Sequence, residues 1–266
     1  MDSVSFDRAA EFYDRTRALD PQTMEAILTL VAPELRGRGR CLEIGIGTGR
    51  IALPLHEAGV PTAGVDLSRP MLDKLVAKAG GRMPFPVAVG DATVLPFADA
   101  SFGAGLGCHI LHLIPRWEAA VDELLRVVRP GGILLLDIGG LNWEPDEVET
   151  RFSQEAGLDR PRYVGLESPQ ALDDKLAAAG AKARRLPPIP RRSSRPVRER
   201  LESIEQNLYS WTWGMPDEVR LRAVDAVRTW ALERFGSLEV PLTRETTIVW
   251  RAYDLPGVSP GRTYQP

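Results

Sequence analysis

The residues able to do chemistry concentrate in three short stretches: Glu43-Ile44-Gly45-Ile46-Gly47-Thr48-Gly49, Gly64-Val65-Asp66 and Gly90-Asp91-Ala92. In the first, glycines alternate over five residues. Glycine reaches positive φ and, lacking Cβ, lets a backbone approach a ligand. Alone, such a triplet also serves as a ligand-free turn between strand and helix. Asp66 ends an apolar run seventeen residues after Gly49. A carboxylate there offers two acceptor oxygens, which suits both ribose hydroxyls of an adenosine. Asp91 follows the next apolar run and can accept from an adenine amino group. The Gly-x-Gly-x-Gly spacing differs from the Gly-x-Gly-x-x-Gly of nicotinamide and flavin enzymes.

These stretches need elements to hold them side by side. Cys41–Ile44, Thr62–Asp66, Pro86–Val89, Phe102–Cys108 and Ile133–Ile138 read as short apolar strands. Helices are predicted between them: Arg50–Ala58, a segment after Ser68 with Pro70 in its first turn, and Glu118–Val128 stopping at Arg129-Pro130-Gly131-Gly132. Repeated strand–helix alternation predicts an α/β fold, a Rossmann-like doubly wound sheet. Ligands of such sheets bind in the crevice at the carboxyl ends of the strands, where Gly45, Asp66 and Asp91 fall. Upstream, residues 5–31 read as helical, with Asp20 and Pro21 starting a second segment. Downstream, helices are predicted over Pro169–Ala179, residues 197–208 and from Pro216 to Phe235, with strands near 182–188 and 246–253.

As a set, these motifs resemble class I S-adenosylmethionine-dependent methyltransferases. Glu43–Gly49 is similar to the family's first motif, Gly64–Ser68 with Met71-Leu72 to the second, and Gly90–Ala92 before Leu95-Pro96-Phe97 to the third. His109-Ile110-Leu111-His112, the Leu125–Gly132 stretch and the N-terminal Phe6–Asp14 lid segment complete a resemblance covering residues 5–138. It is nearest the branch that includes quinone-biosynthesis and other small-molecule methyltransferases. One departure stands out: Gly103 occupies a position where the family usually has Asp.

The resemblance implies S-adenosyl-L-methionine as cofactor and a seven-strand sheet whose last strand is antiparallel. It implies that Gly45, Gly47 and Gly49 carry the turn beside the methionine part, and that Glu43 holds the turn or reaches the methionine ammonium. Asp66 takes the ribose, Leu67 and Met71 pack on adenine, and Asp91 and Ala92 read the adenine edge. Tyr13 closes over the methionine end, and Cys108 offers its carbonyl.

Outside the motifs, His109 and His112 follow strand four, where either is a candidate general base or a packing residue. His56 reads as packing or surface. No metal site is expected, since the histidines lack Cys or acidic partners at ligand spacing. Tyr209, Trp211 and Trp213, with Trp143, are candidates to line an acceptor pocket, or else form core. Positions 211 and 213 share a face if that stretch is extended. Trp230 and Trp250 read as internal packing. Residues 182–200 carry eight Lys/Arg against one Glu, read as a solvated loop and helix face, with an anionic substrate or nucleic acid as the alternatives.

The expected organisation is a core of residues 1–188 and 241–255 with N-terminal lid helices, a helical cap at 189–240 over the acceptor site, and a loose tail at 256–266. A net charge of −3 argues against nucleic acid as partner. No apolar run suits a signal peptide or a membrane span, so a cytoplasmic protein is expected. Cys41 and Cys108, at opposite ends of their strands, are expected to stay unbridged. The expected function is methyl transfer to a small-molecule acceptor. Alternatives are an RNA or protein methyltransferase, against which no Asn-Pro-Pro-Tyr-like motif follows strand four, and a cofactor-binding protein without methyl transfer.

Overall fold

The computed structural model describes residues 3–138, 145–158 and 164–257. The chain forms two units, one of residues 1–141, 164–189 and 248–266, the other of 142–163 and 190–247.

In the first unit, strands β1 (Cys41–Ile44), β2 (Thr62–Asp66), β3 (Val87–Val89), β4 (Phe102–Cys108), β5 (Val128–Asp137), β6 (Lys182–Arg185) and β9 (Trp250–Asp254) build one sheet. Its order is β3-β2-β1-β4-β5-β9-β6. β1 to β5 pair in parallel, and β9 runs antiparallel to both β5 and β6. The doubly wound sheet and its antiparallel last strand are as expected. β6 is exposed along its whole length, and Arg184 there pairs with Glu34 and Asp254.

Strand alternation divides the core between two faces. Ile133 and Leu135 of β5 join Cys41, Leu106 and residues of α2 (Pro21–Leu35) and α3 (Ala52–Glu57). Leu134 and Leu136 join Leu42, Ile44 and residues of α5 (Trp117–Val127) and α7 (Pro169–Ala178). Capping fixes where helices begin. Asp20 accepts from Thr23 N at 2.8 Å to start α2, and Ser68 accepts from Met71 N at 3.3 Å to start α4 (Arg69–Lys78).

The N-terminal segment is more broken than its periodicity implies: a single turn at Asp7–Ala9 and a short α1 (Tyr13–Arg17) precede α2. Val128 already pairs with Phe102, whereas Ile133 pairs with Ala104. Arg129-Pro130-Gly131 therefore forms an exposed bulge within β5, not a loop before it. Cys41 faces Ala104 across the β1–β4 pair. Cys108 is four residues further along, about 13 Å at about 3.3 Å per residue, and both cysteines are free. Gly103 has a steric reason. A Cβ there would lie 1.4 Å from the Arg38 carbonyl oxygen, so the aspartate usual in the family has no room.

The second unit is not purely helical. Helices α6 (Glu147–Glu155), α8 (Val197–Glu205) and α9 (Asp217–Phe235) accompany a two-stranded sheet of β7 (Ile189–Pro196) and β8 (Pro241–Ile248). The strand expected at 246–253 is thus two strands in two sheets, and residues 241–247 belong to this unit, not to the core. Val148, Phe152, Val197, Leu201, Val224 and Val227 form its interior. Buried beside them, Arg200 pairs with Asp146 at 2.9 Å, and Arg244 pairs with Asp146 at 3.1 Å and with Glu149. Asp146 and Glu149 also close a capping box on α6. Among the described residues, no helix is long and apolar enough to cross a membrane.

Candidate functional site

The glycine turn leaves β1 with Gly45, Gly47 and Gly49 all at positive φ, 62°, 56° and 74°. Asp66 fastens it to β2: its Oδ2 accepts from Gly47 N at 2.7 Å and its Oδ1 from Ser68 N at 2.8 Å. With Leu67 N–H also bonding it, the carboxylate retains acceptor capacity for a ligand hydroxyl. Burial raises the Asp66 pKa, against which these same backbone N–H groups act. Asp91, after β3, accepts from Thr93 N at 2.8 Å and from Ser3 Oγ at 3.4 Å. Ala92 is buried beside it.

Glu43 lies under the turn, 3% exposed, with no hydrogen-bond partner for Oε2. Burial pushes its pKa up to about 8, opposed by Arg50 and assisted by Asp66. A buried carboxyl oxygen without a donor is costly in a finished core. It fits a site completed by a cationic ligand.

The N-terminal segment is tied to this region. Thr48 Oγ1 donates to Asp14 at 2.6 Å, Lys78 pairs with Asp14 at 3.1 Å, and Arg50 donates to the Arg17 carbonyl at 3.1 Å. Tyr13 packs edge-on against Phe6 and lies in the field of Arg50. Leu67 is exposed, whereas Met71 is buried, its methyl packed against Gly47. Gly45, Gly47, Asp66 and Tyr13 thus gather with Glu43 around one crevice end.

A second group closes the ends of β4 and β5. Cys108 Sγ donates to Asp137 Oδ2 at 3.4 Å and accepts from Arg50 at 3.5 Å. His109 Nε2 is 3.1 Å from Asp137 Oδ2. Burial and the Asp137 carboxylate push the Cys108 thiol well up, so it stays a thiol. Metal-ligand atoms of Cys108, His109 and Asp137 lie within 4.8 Å of one another. A guanidinium beside the sulfur opposes a cation there. Asp137 was absent from the sequence reading, although its signal exists: it is an acid ending the apolar run Ile133–Leu136. His112 is a poor base. Burial and neighbouring His109 lower its pKa to about 3. His56 packs edge-on against Phe85.

The aromatic candidates are only partly available. Trp143 lies outside the described residues. Ser210–Thr212 is a 3-10 turn, not an extended stretch, so Trp211 and Trp213 do not alternate as strand neighbours. The Thr212 hydroxyl, 2.7 Å from both Asn207 Oδ1 and the Tyr209 carbonyl, ties this turn by donating its one proton to either. Tyr209 stacks on Trp211, which meets Phe152 edge-on, and both pack on the second unit's interior. Trp213 Nε1 donates to the Asn207 carbonyl at 3.0 Å. Trp250 is fully buried and Trp230 packs on the same interior as Trp211, as expected.

Residues 42–136 match the model of a methyltransferase domain. A demethylmenaquinone methyltransferase of Beutenbergia cavernae is 33% identical over 63% of this chain and 70% of its own length. A malonyl-[acyl-carrier protein] O-methyltransferase of Methylococcus capsulatus is 30% identical over 66% of this chain and 64% of its own. A solved S-adenosylmethionine-dependent methyltransferase from Thermotoga maritima shares the fold, with a TM-score of 0.52 at 19% identity over 94% of this chain and 98% of that one. With the glycine turn and both strand-end carboxylates in place, this chain belongs to the class I S-adenosylmethionine-dependent methyltransferase family.

Proposed function

We propose that this enzyme methylates a small organic acceptor, by in-line displacement, with S-adenosylmethionine seated in the crevice over β1, β2 and β3. The observation that carries the cofactor placement is Glu43: a buried, half-satisfied carboxyl beside a positive-φ glycine turn suits the methionine ammonium. Gly45, Gly47 and Gly49 let the backbone approach the methionine part. Asp66 takes the ribose hydroxyls, Leu67 and Met71 flank adenine, and Asp91 and Ala92 read its edge. Tyr13 closes the methionine end, with the Cys108 backbone opposite. The bound cofactor supplies a methyl group activated by a sulfonium. The protein then aligns the acceptor with it, which by itself lowers the barrier substantially.

A small acceptor is supported by the relative named for demethylmenaquinone and by a net charge of −3 that disfavours nucleic acid. Tyr209, Trp211 and Trp213, half-buried in the second unit, are the candidate aromatic contacts for an acceptor. The test is release of S-adenosylhomocysteine with a metabolite panel, beside RNA and protein controls. Turnover with small molecules is expected. Turnover confined to RNA or protein defeats the acceptor class, and cofactor binding without any turnover defeats the enzyme reading.

A further inference from the structure

Three features converge on His109 without serving the cofactor. Its backbone has φ 54°, the left-handed region, which a non-glycine residue adopts at a cost and which marks positions held for a purpose. Asp137 holds it twice: the Asp137 carbonyl accepts from His109 N at 3.3 Å, and the carboxylate takes His109 Nε2 at 3.1 Å. The Asp137 side chain is 2% exposed, whereas that of His109 is 40% exposed. One residue along, Ile110 rests on the glycine turn, so close that a Cβ on Gly45 would lie 2.5 Å from it. The imidazole is therefore fixed at the crevice, with its inner nitrogen spent on a buried acid.

The geometry points to Asp137 as the positioning residue that sets His109 with its proton on Nε2, leaving Nδ1 to take a proton from a hydroxyl acceptor of the phenol or enol class. This rests on the methyl-transfer reading above. In the step, the acceptor O–H proton passes to Nδ1 and the oxygen lone pair forms the new O–CH3 bond. The S–CH3 bond breaks, its electron pair returns to sulfur, and His109 later gives its proton to water. A carboxylic acid is already ionised at neutral pH and needs no such base. A phenol, with pKa near 10, does. The groups around His109 are consistent with one carboxylate partner. Cys108 remains a thiol that also donates to Asp137, His112 stays neutral, and Arg50, with Arg17 beyond, carries the positive charge.

The test uses the full chain with bound S-adenosylmethionine, Asp137→Asn, Asp137→Glu and His109→Gln variants, and four acceptors: catechol, a naphthol, benzoate and benzylamine. Nitrogen NMR of the imidazole should show Nε2 protonated in the wild type. The proton should move to Nδ1 in Asp137→Asn, whose amide can donate to Nε2, and stay on Nε2 in Asp137→Glu. Catechol or naphthol turnover should fall about 100-fold or more in Asp137→Asn and His109→Gln, the usual worth of a general base. Asp137→Glu should recover much of it, with cofactor affinity by calorimetry unchanged throughout. The rising limb of the pH–rate profile should disappear in His109→Gln. A wild-type proton on Nδ1, or a preference for benzoate or benzylamine indifferent to His109→Gln, overturns the proposal. Should none of the four acceptors turn over, the tautomer reversal still decides the role of Asp137. Wild-type failure to bind S-adenosylmethionine would instead strike the cofactor reading, leaving the tautomer result to stand separately.

Discussion

Two buried polar clusters in this molecule contrast with each other. In the second unit, Asp146, Glu149, Arg200 and Arg244 balance two negative charges with two positive ones, and both carboxylates also serve as the capping box of α6. In the crevice, Glu43 and Asp137 lie in the field of Arg50, Asp66 acts on Glu43, and Glu43 keeps an oxygen with no donor. The first cluster's carboxylates are complete without a ligand. The second holds Glu43 with a raised pKa and an open valence, which suits the cationic end of the proposed cofactor. Burial of charge alone does not single out a candidate site; an unmet valence does.

The largest effect that can break this contrast is on stability. Arg200→Ala leaves buried carboxylates short of a partner and should cost about 3 kcal/mol, the lower end for breaking a buried pair, because Arg244 remains. Chemical denaturation measures it, and calorimetry should find cofactor affinity unchanged in the folded variant. An affinity loss as large as the stability loss would mean the balanced cluster is not merely structural. In the crevice the order should invert. Asp66→Ala should weaken S-adenosylmethionine binding by about 1.5–3 kcal/mol, the range for a hydrogen bond to a charged group. An unchanged affinity in a folded protein removes the ribose assignment.

Trp211→Ala sharpens the comparison from the aromatic side. Its ring stacks on Tyr209 and meets Phe152 within the second unit's interior. A stability loss of about 2 kcal/mol is expected, below the range for a fully buried tryptophan. Melting and acceptor kinetics on one variant separate packing from recognition: normal stability with lost turnover would assign the ring to the acceptor instead.

The smallest effect is the most diagnostic. The folded pKa of Glu43 is raised from 4.5 to about 8. Between those values the folded state holds a proton that the unfolded state has released. Stability from this group is therefore fully present below about pH 4.5 and is lost as pH rises through about 8. Glu43→Gln should lack that slope when the two melting curves are compared across pH. A cationic ammonium beside Glu43 should pull its pKa down, so cofactor binding near pH 7 should release protons in the wild type and not in the variant. Calorimetry in buffers of different ionisation enthalpy reads this directly. Equal proton release in both would place the ammonium elsewhere.

These contrasts were unequally visible in the sequence. The glycine turn, Asp66 and Asp91 are legible because backbone geometry and strand ends impose residue types locally. The His109–Asp137 pair is not, because Asp137 ends β5, His109 follows the end of β4, and the two meet only through the β4–β5 register. β7 and β8 escaped notice for a different reason. Arg191, Arg192, Ser193 and Ser194 present no apolar alternation, since only one side of a two-stranded sheet is even half-buried. The Tyr209–Trp213 stretch misled because the Thr212 hydroxyl, closing a tight turn through Asn207, outweighs the extended pattern its aromatics suggest.

The borders of the main sheet carry a consequence for the molecule in a crowded cell. An open sheet invites further strands at both margins, from other proteins or from copies of itself. Here one margin, β3, is three residues long and offers little ladder to extend. The other, β6, is Lys182-Ala183-Arg184-Arg185, exposed throughout. An incoming strand there would have to meet a row of cations, one of them already clamped by Glu34 and Asp254. Charge at one margin and brevity at the other guard the protein against edge-to-edge aggregation, leaving its chemistry on the rim formed by the strand ends.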